Sequence, residues 1–295
     1  MTHVATLIAK PAALDAAALE RARDVLPGAG APQWLGEGAA ADIPFSAEAG
    51  ADQRALADRI RAAINRPVDV VVQNSERRRK KLFLADMDST MINQECIDEL
   101  ADHAGLKARI AAITARAMRG EIEFEPALRE RVALLKGLPT AAIDAVIAKR
   151  ITLTPGARIL VATLRANGAH TCMVSGGFTL FTAPIAAMIG FDESRANTLV
   201  LDGKNIAGTV TEPVFGRAGK RAMLVELRQR LRLEKYETLA AGDGANDMEM
   251  IAEAGLGIAY RAKPKVAAAA PARIEHGDLT ALLYVQGYRR QEFVE

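Results

Sequence analysis

The chain has 295 residues, half of them hydrophobic and a quarter charged, with a formal net charge of +2. That length suits one large domain or two, with apolar material enough to fold without disulfides or a structural metal. A charge so near zero argues against nucleic acid and membrane surfaces as partners, and no apolar run approaches the roughly 18–20 residues that span a bilayer.

The N-terminus, MTHVATLIAKPAAL, lacks a basic leader, and Lys10-Pro11 interrupts its apolar run, which argues against a signal peptide. Residues 1–75 read as a small α+β unit. VATLIAK is strand-like, ALDAAALERARDVL is an amphipathic helix, and the short pieces PQWLGEG and ADIPFS follow a Gly/Pro-rich passage. DQRALADRIRAAI is a second helix and VDVVVQN a clear strand. The order β-α-β-β-α-β is that of a ferredoxin-like split βαβ unit. The run SERRRKK at 75–81 then carries five cations, read as a solvated linker whose charges guard the hydrophobic strand behind it.

From Leu82 the pattern changes. KLFLAD is a continuous apolar run, as expected of a strand covered on both faces. Residues 94–150 are almost wholly helical, and after Pro155-Gly156 strands and helices alternate. ARILVATLRANG, FTLFTAPIAAMIG, KRAMLVELRQRLR and NDMEMIAEAG read as helices; AHTCMVSGG, ETLAAGDG and LGIAY read as strands. TLVLDGKNIAGTV reads as a hairpin turning at Asp202-Gly203, and DLTALLYVQGY as a last helix. The alternation predicts an α/β fold with a doubly wound parallel sheet. The helical block, about 93–150, is an insertion standing as a cap over the C-terminal edge of that sheet. Two domains are expected: 1–75, and 81–295 with its cap. Cys96 and Cys172 lie far apart in apolar surroundings and read as buried free thiols of a reducing compartment, so a cytoplasmic location is expected.

Polar residues gather at the strand ends. Asp86 and Asp88 follow the first strand of the larger unit, Ser175-Gly176-Gly177 the second, and Asp243-Gly-Ala-Asn246-Asp247 a later one, while Lys220 opens a helix. In a parallel sheet these ends share one edge. Four aspartates there repel one another, so either protons or a cation must be present. Carboxylates without histidine or cysteine companions suit a hard ion such as Mg²⁺. The hydroxyl of Ser175, the closely approachable backbone of Gly176 and Gly177, and the charge of Lys220 suit an anion. An Mg²⁺ site beside an anion pocket is a phosphate site. In an extended segment Asp86 and Asp88 would point the same way. One can attack phosphorus while the other moves protons. Only about one unperturbed Asp in a thousand is protonated at pH 7, so the acid requires a raised pKa.

DMDST, SGG, Lys220 and GDGAND resemble, in order, the four motifs of the haloacid dehalogenase superfamily of phosphatases. DMDSTMINQECIDELA, ITARAMRGEIEFEPALRERVALLKGL and VSGGF are similar to its phosphoserine phosphatase family, over roughly residues 81–290. The resemblance implies Mg²⁺-dependent hydrolysis of O-phospho-L-serine, the last step of serine biosynthesis, through an aspartyl-phosphate. It implies Asp86 as nucleophile and Asp88 as general acid/base. Mg²⁺ would lie between Asp86, the backbone carbonyl of Asp88 and Asp243, with Asp247 in support. Ser175, Gly176 and Lys220 would hold the phosphoryl group, and Asn246 would lie on its leaving-group side. In the cap, Glu95 would meet the substrate ammonium and Arg131 its carboxylate, with Met118 and Phe124 closing over the site. The pattern of residues 1–75 is similar to amino-acid-binding regulatory (ACT-like) domains, which leaves an amino-acid effector and a homodimer open.

Three rivals share parts of this chemistry. A phosphotransferase that passes the phosphoryl group from phosphoserine to another alcohol, such as homoserine, differs only in the acceptor. A receiver domain that stores phosphate on an aspartate would need neither the helical insertion nor Asp88. An ATP-driven pump of the same superfamily would need membrane spans and generally has Thr in place of Asp88.

Overall fold

In the computed structural model the described residues are 2–48, 50–118 and 121–295, without the side chain of Met118. The N-terminal unit runs β1 (His3–Ile8), α1 (Ala16–Asp24), β2 (Gln33–Gly36), β3 (Ala40–Phe45), α2 (Gln53–Ile64) and β4 (Asp69–Asn74). Both helices start at an aspartate: Asp15 accepts the N–H of Ala18, and Asp52 those of Arg54 and Ala55. The sheet has the order β2-β3-β1-β4, with β1 antiparallel to both β3 and β4. This is the split βαβ arrangement that the pattern predicts.

Alternation along the strands sends the two sheet faces to different cores. Leu7, Ile43, Phe45, Val70 and Val72 pack with Leu19 of α1 and Ile60 and Ile64 of α2. Ile8, Leu35, Ala40 and Val71 instead join the main core of the larger unit, beside Leu282 and Val285.

The basic run between the units is solvated only in part: Arg77, Arg79 and Lys81 are exposed, whereas Arg78 is half-buried and Lys80 buried. Arg78 makes an ion pair with Asp42 at 2.6 Å, donates to the hydroxyl of Thr6 and reaches the carbonyls of Tyr284 and Val285. The ammonium of Lys80 donates to the carbonyl of Tyr236, Lys81 pairs with Glu237, and Arg79 stacks on Tyr288 while pairing with Glu292. Composition predicts hydration for such a run. Tertiary partners on both sides override that at Arg78 and Lys80, and the run clasps the two sheets together.

The larger unit starts with β5 (Leu82–Asp86) and the cap helices α3 (Cys96–His103), α4 (Lys107–Met118), α5 (Phe124–Leu134) and α6 (Ala141–Arg150). It continues with α7 (Ala157–Ala166), β6 (His170–Phe178), α8 (Thr179–Ile189), β7 (Glu193–Asn197), β8 (Leu199–Asp202), β9 (Asn205–Val210) and α9 (Arg217–Arg230). β10 (Thr238–Gly242), α10 (Met248–Glu253), β11 (Leu256–Tyr260), α11 (Pro264–Ala269), β12 (Ala272–Ile274) and α12 (Ala281–Val285) complete it.

The main sheet is parallel, in the order β12-β11-β10-β5-β6-β7. In β5, Leu82 and Leu84 pack with Met223, Leu224 and Leu227 of α9 and Met250 of α10. Phe83 and Ala85 face the opposite side, with Leu160 and Leu164 of α7 and Phe181 and Ile185 of α8. Both faces are thus covered, as the unbroken apolar run of β5 requires. β6 lies on one side of β5 and β10 on the other, so the strand order reverses there and a crevice opens beyond their C-terminal ends.

The sequence pattern passes over β7, whose residues ESRAN are polar because it is an edge strand. Nor does it foresee what holds the cap. The N–H groups of Gly137 and Thr140, at the loop between α5 and α6, donate to the carbonyls of Ile206 and Lys204 in the β8–β9 hairpin. The hairpin ties the cap to the edge of the sheet.

Candidate active site

β5 ends at Asp86, and the chain does not continue as a strand. Met87–Met91 form a wide turn in which Asp88 keeps an extended φ of −66° and ψ of 136° and Ser89 takes a φ of 55°. Asp86 and Asp88 both keep extended backbone angles, the chain turns sharply only at Ser89, and both side chains line the same cleft. Positive φ is uncommon outside glycine, and here it allows the hydroxyl of Ser89 to donate to Glu95 at 2.8 Å.

Asp86 is buried, accepts the N–H of Met87 and lies 2.7 Å from the ammonium of Lys220. That ammonium also reaches Asp247 at 2.6 Å, and both Lys220 and Asp247 are fully buried. Asp247 accepts the N–H of Gly244 as well, which holds the GDGAND turn against the end of β10. Asp88 has both oxygens engaged: one accepts the N–H of Cys96 at 2.8 Å, the other the hydroxyl of Ser175 at 3.1 Å. Ser175 in turn accepts the N–H of Gly177 at 2.9 Å, so that group already has a partner inside the protein.

A cleft of about 130 Å³ opens above these groups. Its walls include Asp86, Asp88, Gly176, Gly177, Asp243 and Asn246 from the core, with Glu95, Phe124 and Arg131 from the cap side. The volume suits a small metabolite and excludes a folded partner. Ser175, Lys220 and Asp247 lie behind the walls rather than in them. Arg131 is on α5, where its Nε donates to the carbonyl of Ala127 at 3.2 Å. The Phe124 ring covers two glycines: a Cβ on Gly176 or Gly216 would lie 3.2 or 3.0 Å from it. Only glycine lets the cap settle so closely. The contact expected of the Met118 side chain falls outside the described residues.

Burial and then the neighbouring Asp247 push the Asp86 carboxyl well above the usual carboxylate range, against the pull of Lys220. Burial also raises Asp88, and burial with Asp247 pushes Asp243 up to about 6. For Lys220, burial would lower the pKa, but Asp86 and Asp247 outweigh it and the group is raised. Glu95 is pushed up to about 7 by enclosure of its carboxylate and by Asp88, although the residue as a whole stays exposed at the cleft mouth.

These shifts describe a site with too much negative charge. Asp86, Asp243 and Asp247 can each bring an oxygen within 4.8 Å of the others, all from buried side chains. An oxygen-only set of this kind, under-neutralised by its lysine, fits a hard divalent cation.

Two residues here escape the sequence reading. Lys263 lines the cleft, with its ammonium 4.0 Å from Asp243 and its N–H donating to the carbonyl of that residue. It follows the strand LGIAY, so the rule that polar residues at strand ends build the site would have found it. Asn197 is buried, donates to the carbonyls of Gly176 and Phe215 and accepts the N–H of Phe215. It thereby clamps the glycine loop to the segment that leads into α9. As a lone asparagine in a polar edge strand it carries no signal.

Residues 83–252 match the haloacid dehalogenase-like hydrolase family. A probable phosphoserine phosphatase of Schizosaccharomyces pombe is 43% identical over 243 residues, covering 82% of this chain and 81% of that one. A haloacid dehalogenase-family hydrolase from Salmonella enterica serovar Typhi, 27% identical, superposes with a TM-score of 0.84 over 96% of this chain and 98% of its own. A phosphoserine phosphatase solved as a phospho-aspartyl intermediate analogue is 39% identical, with a TM-score of 0.64 over 70% of this chain and 98% of its own. Among the described residues no helix is long and apolar enough to cross a membrane.

Proposed function

The chain belongs to the haloacid dehalogenase-like hydrolases and, within them, to the phosphoserine phosphatases; from that premise we propose that it hydrolyses O-phospho-L-serine to L-serine and phosphate through an aspartyl-phosphate on Asp86. The observation that supports this reading best is the cleft itself, where the buried Asp86 and the half-buried Asp88 meet an acidic and a basic cap residue, Glu95 and Arg131. A zwitterionic amino acid calls for one anion and one planar, bidentate cation.

In the first half-reaction an oxygen of Asp86 attacks phosphorus and the bond from phosphorus to the serine oxygen breaks. Protonated Asp88 delivers its proton to that leaving oxygen. In the second, Asp88, now a carboxylate, takes a proton from the water that attacks the aspartyl-phosphate, and Asp86 is released with inorganic phosphate. The environment suits this division. Burial holds Asp88 toward its protonated form, while the N–H of Cys96 and the hydroxyl of Ser175 fix its orientation and make the ionised form accessible. Lys220 beside Asp86 offers positive charge to the phosphoryl oxygens. Asp86 and Asp243 with the backbone carbonyl of Asp88, supported by Asp247, would hold Mg²⁺. The ion would supply charge neutralisation and Lewis-acid polarisation of the phosphoryl group. This activity would form the last step of serine biosynthesis.

The reading is tested by phosphate release from a panel of phosphomonoesters, with Mg²⁺ and then with excess EDTA. Phosphoserine is expected to lead the panel, and Asp86→Asn to abolish release. Full activity in EDTA, or near-normal activity of Asp86→Asn, would overturn the metal or the covalent step respectively.

A further inference from the structure

The largest departure from a one-site enzyme lies at the seam between the two sheets. A cavity of about 390 Å³, larger than the cleft, opens where the end of β1 meets the loop before α12. Its rim carries Lys10 from the N-terminal unit, and Arg261, His276 and Arg290 from the larger one. The aromatic rings of Tyr284 and Phe293, 5.0 Å apart at their centroids, form an apolar wall. Asp278 is the one acid of the lining among the described residues, and one of its oxygens accepts both the N–H and the hydroxyl of Thr280. Arg290 is paired with Glu295 at 2.7 Å, and even with that acid counted the cations that converge from both units outnumber the acids around the cavity.

Arg261 is not placed there by an ordinary backbone. Its φ is 43°, a conformation that a side chain of this size adopts only when its surroundings impose it. Its N–H donates to the carbonyl of Ile274 and its guanidinium to that of Gly277, which sets the side chain on the rim. Two residues further on, Lys263 lines the cleft beside Asp243. A second connection runs through backbone: Leu279 donates to the carbonyl of Pro155, and Thr154 to that of Met91, at the end of the turn that carries Asp88.

We propose that this seam is a binding site for a small oxyanion, carboxylate or phosphate, and that its occupancy is transmitted to the cleft through the segment Arg261–Lys263. A planar guanidinium and an ammonium converging from separate units suit one compact anion, and the aromatic wall suits a short apolar body attached to it. Such a ligand would bridge the two units and bear on the position of Lys263, and so on the charge around Asp243. The binding claim stands independently of the phosphatase reading; the transmission claim rests on it.

The test is calorimetric titration of the full chain with inorganic phosphate and, separately, with malonate, in wild type and in the Lys10→Gln/Arg290→Gln variant. Both replaced side chains are exposed, so without probe the variant should keep the wild-type kcat/KM for phosphoserine. At least one probe is expected to show a binding component that weakens roughly ten- to a hundred-fold in the variant, the range of one or two charge-assisted hydrogen bonds. Phosphate at the cleft should be unaffected by these changes and so marks the site already described. Identical isotherms in wild type and variant, or no binding of either probe at millimolar concentration, would overturn the site. Saturating probe should also shift kcat for phosphoserine in wild type and leave the variant unchanged. A bound probe with no such shift would overturn the transmission while leaving the site, and a chain inactive on phosphoserine would instead sink the phosphatase reading alone.

Discussion

Arg131 sits in the cap wall of the cleft, with one nitrogen already spent on the carbonyl of Ala127. Any phosphatase with this core could cleave a phosphomonoester; reading the carboxylate of phosphoserine requires a cation such as this one. Arg131→Ala should lower kcat/KM for phosphoserine by about ten- to a hundred-fold. Phosphoethanolamine, which lacks the carboxylate, should start poor and lose little more. Arg131→Lys should recover part of the loss, because an ammonium cannot copy the planar fork. The ratio of the two specificity constants is the readout, and an equal fall for both substrates would make Arg131 a support of the cap only. Glu95 carries the matching pH prediction. With its pKa at about 7, the free enzyme holds it mostly neutral below that pH and ionised above. A neutral carboxyl is a poor partner for an ammonium, so phosphoserine binding should tighten as pH rises from 6 to 8. Dividing the kcat/KM profile of wild type by that of Glu95→Gln removes the titration of the substrate phosphate. The quotient should rise several-fold with a midpoint near 7; a flat quotient would show that Glu95 does not meet the ammonium.

At the scale of elements, one of the places where the cap meets the core is a single ring on two glycines. Phe124 begins α5, Gly176 belongs to β6, and Gly216 leads into α9. Gly216 lies outside the catalytic set, which makes it a clean probe of closure. In Gly216→Ala the new methyl group would lie 3.0 Å from the Phe124 ring, and overpacking of this kind costs about 1–3 kcal/mol. The ring can relieve it by lifting, so the expected result is a several-fold fall in kcat/KM with a small change in Tm. Adding Phe124→Leu should recover part of the activity if the clash is the cause. The wide turn after β5 is a second lesson at this scale. DMDST announces the chemistry, but the Asp88 carboxyl is held by bonds to Cys96 and Ser175, the latter 87 residues away in sequence. No local pattern encodes that.

Across the whole molecule, Arg78 is one of several points where the two units are joined. It pairs with Asp42, with about a tenth of each side chain exposed, and touches the carbonyls at the end of α12. Arg78→Ala would leave Asp42 buried with only the hydroxyl of Thr6 as a donor, at a cost of about 3 kcal/mol. The single tryptophan of the chain, Trp34, is in β2 and reports the N-terminal unit. Urea unfolding followed by its fluorescence should therefore shift to lower concentration in the variant, ahead of the loss of helical circular dichroism. Coincident, unshifted transitions would show that the clasp contributes nothing.

Residues 82–86, the strand-end aspartates, SGG and GDGAND were legible because a buried parallel strand must be apolar throughout and its polar exceptions must collect at one edge. Periodicity likewise exposed the helices, the hairpin and the order of the N-terminal unit. Asn197, the tie between cap and hairpin, the second face of the N-terminal sheet and the partners of SERRRKK were decided only by tertiary structure. Each depends on which distant surface a segment meets. A sequence pattern records whether a residue prefers water or apolar surroundings, but a cation beside a buried carboxylate and carbonyls is stabilised by partners that its own segment does not contain.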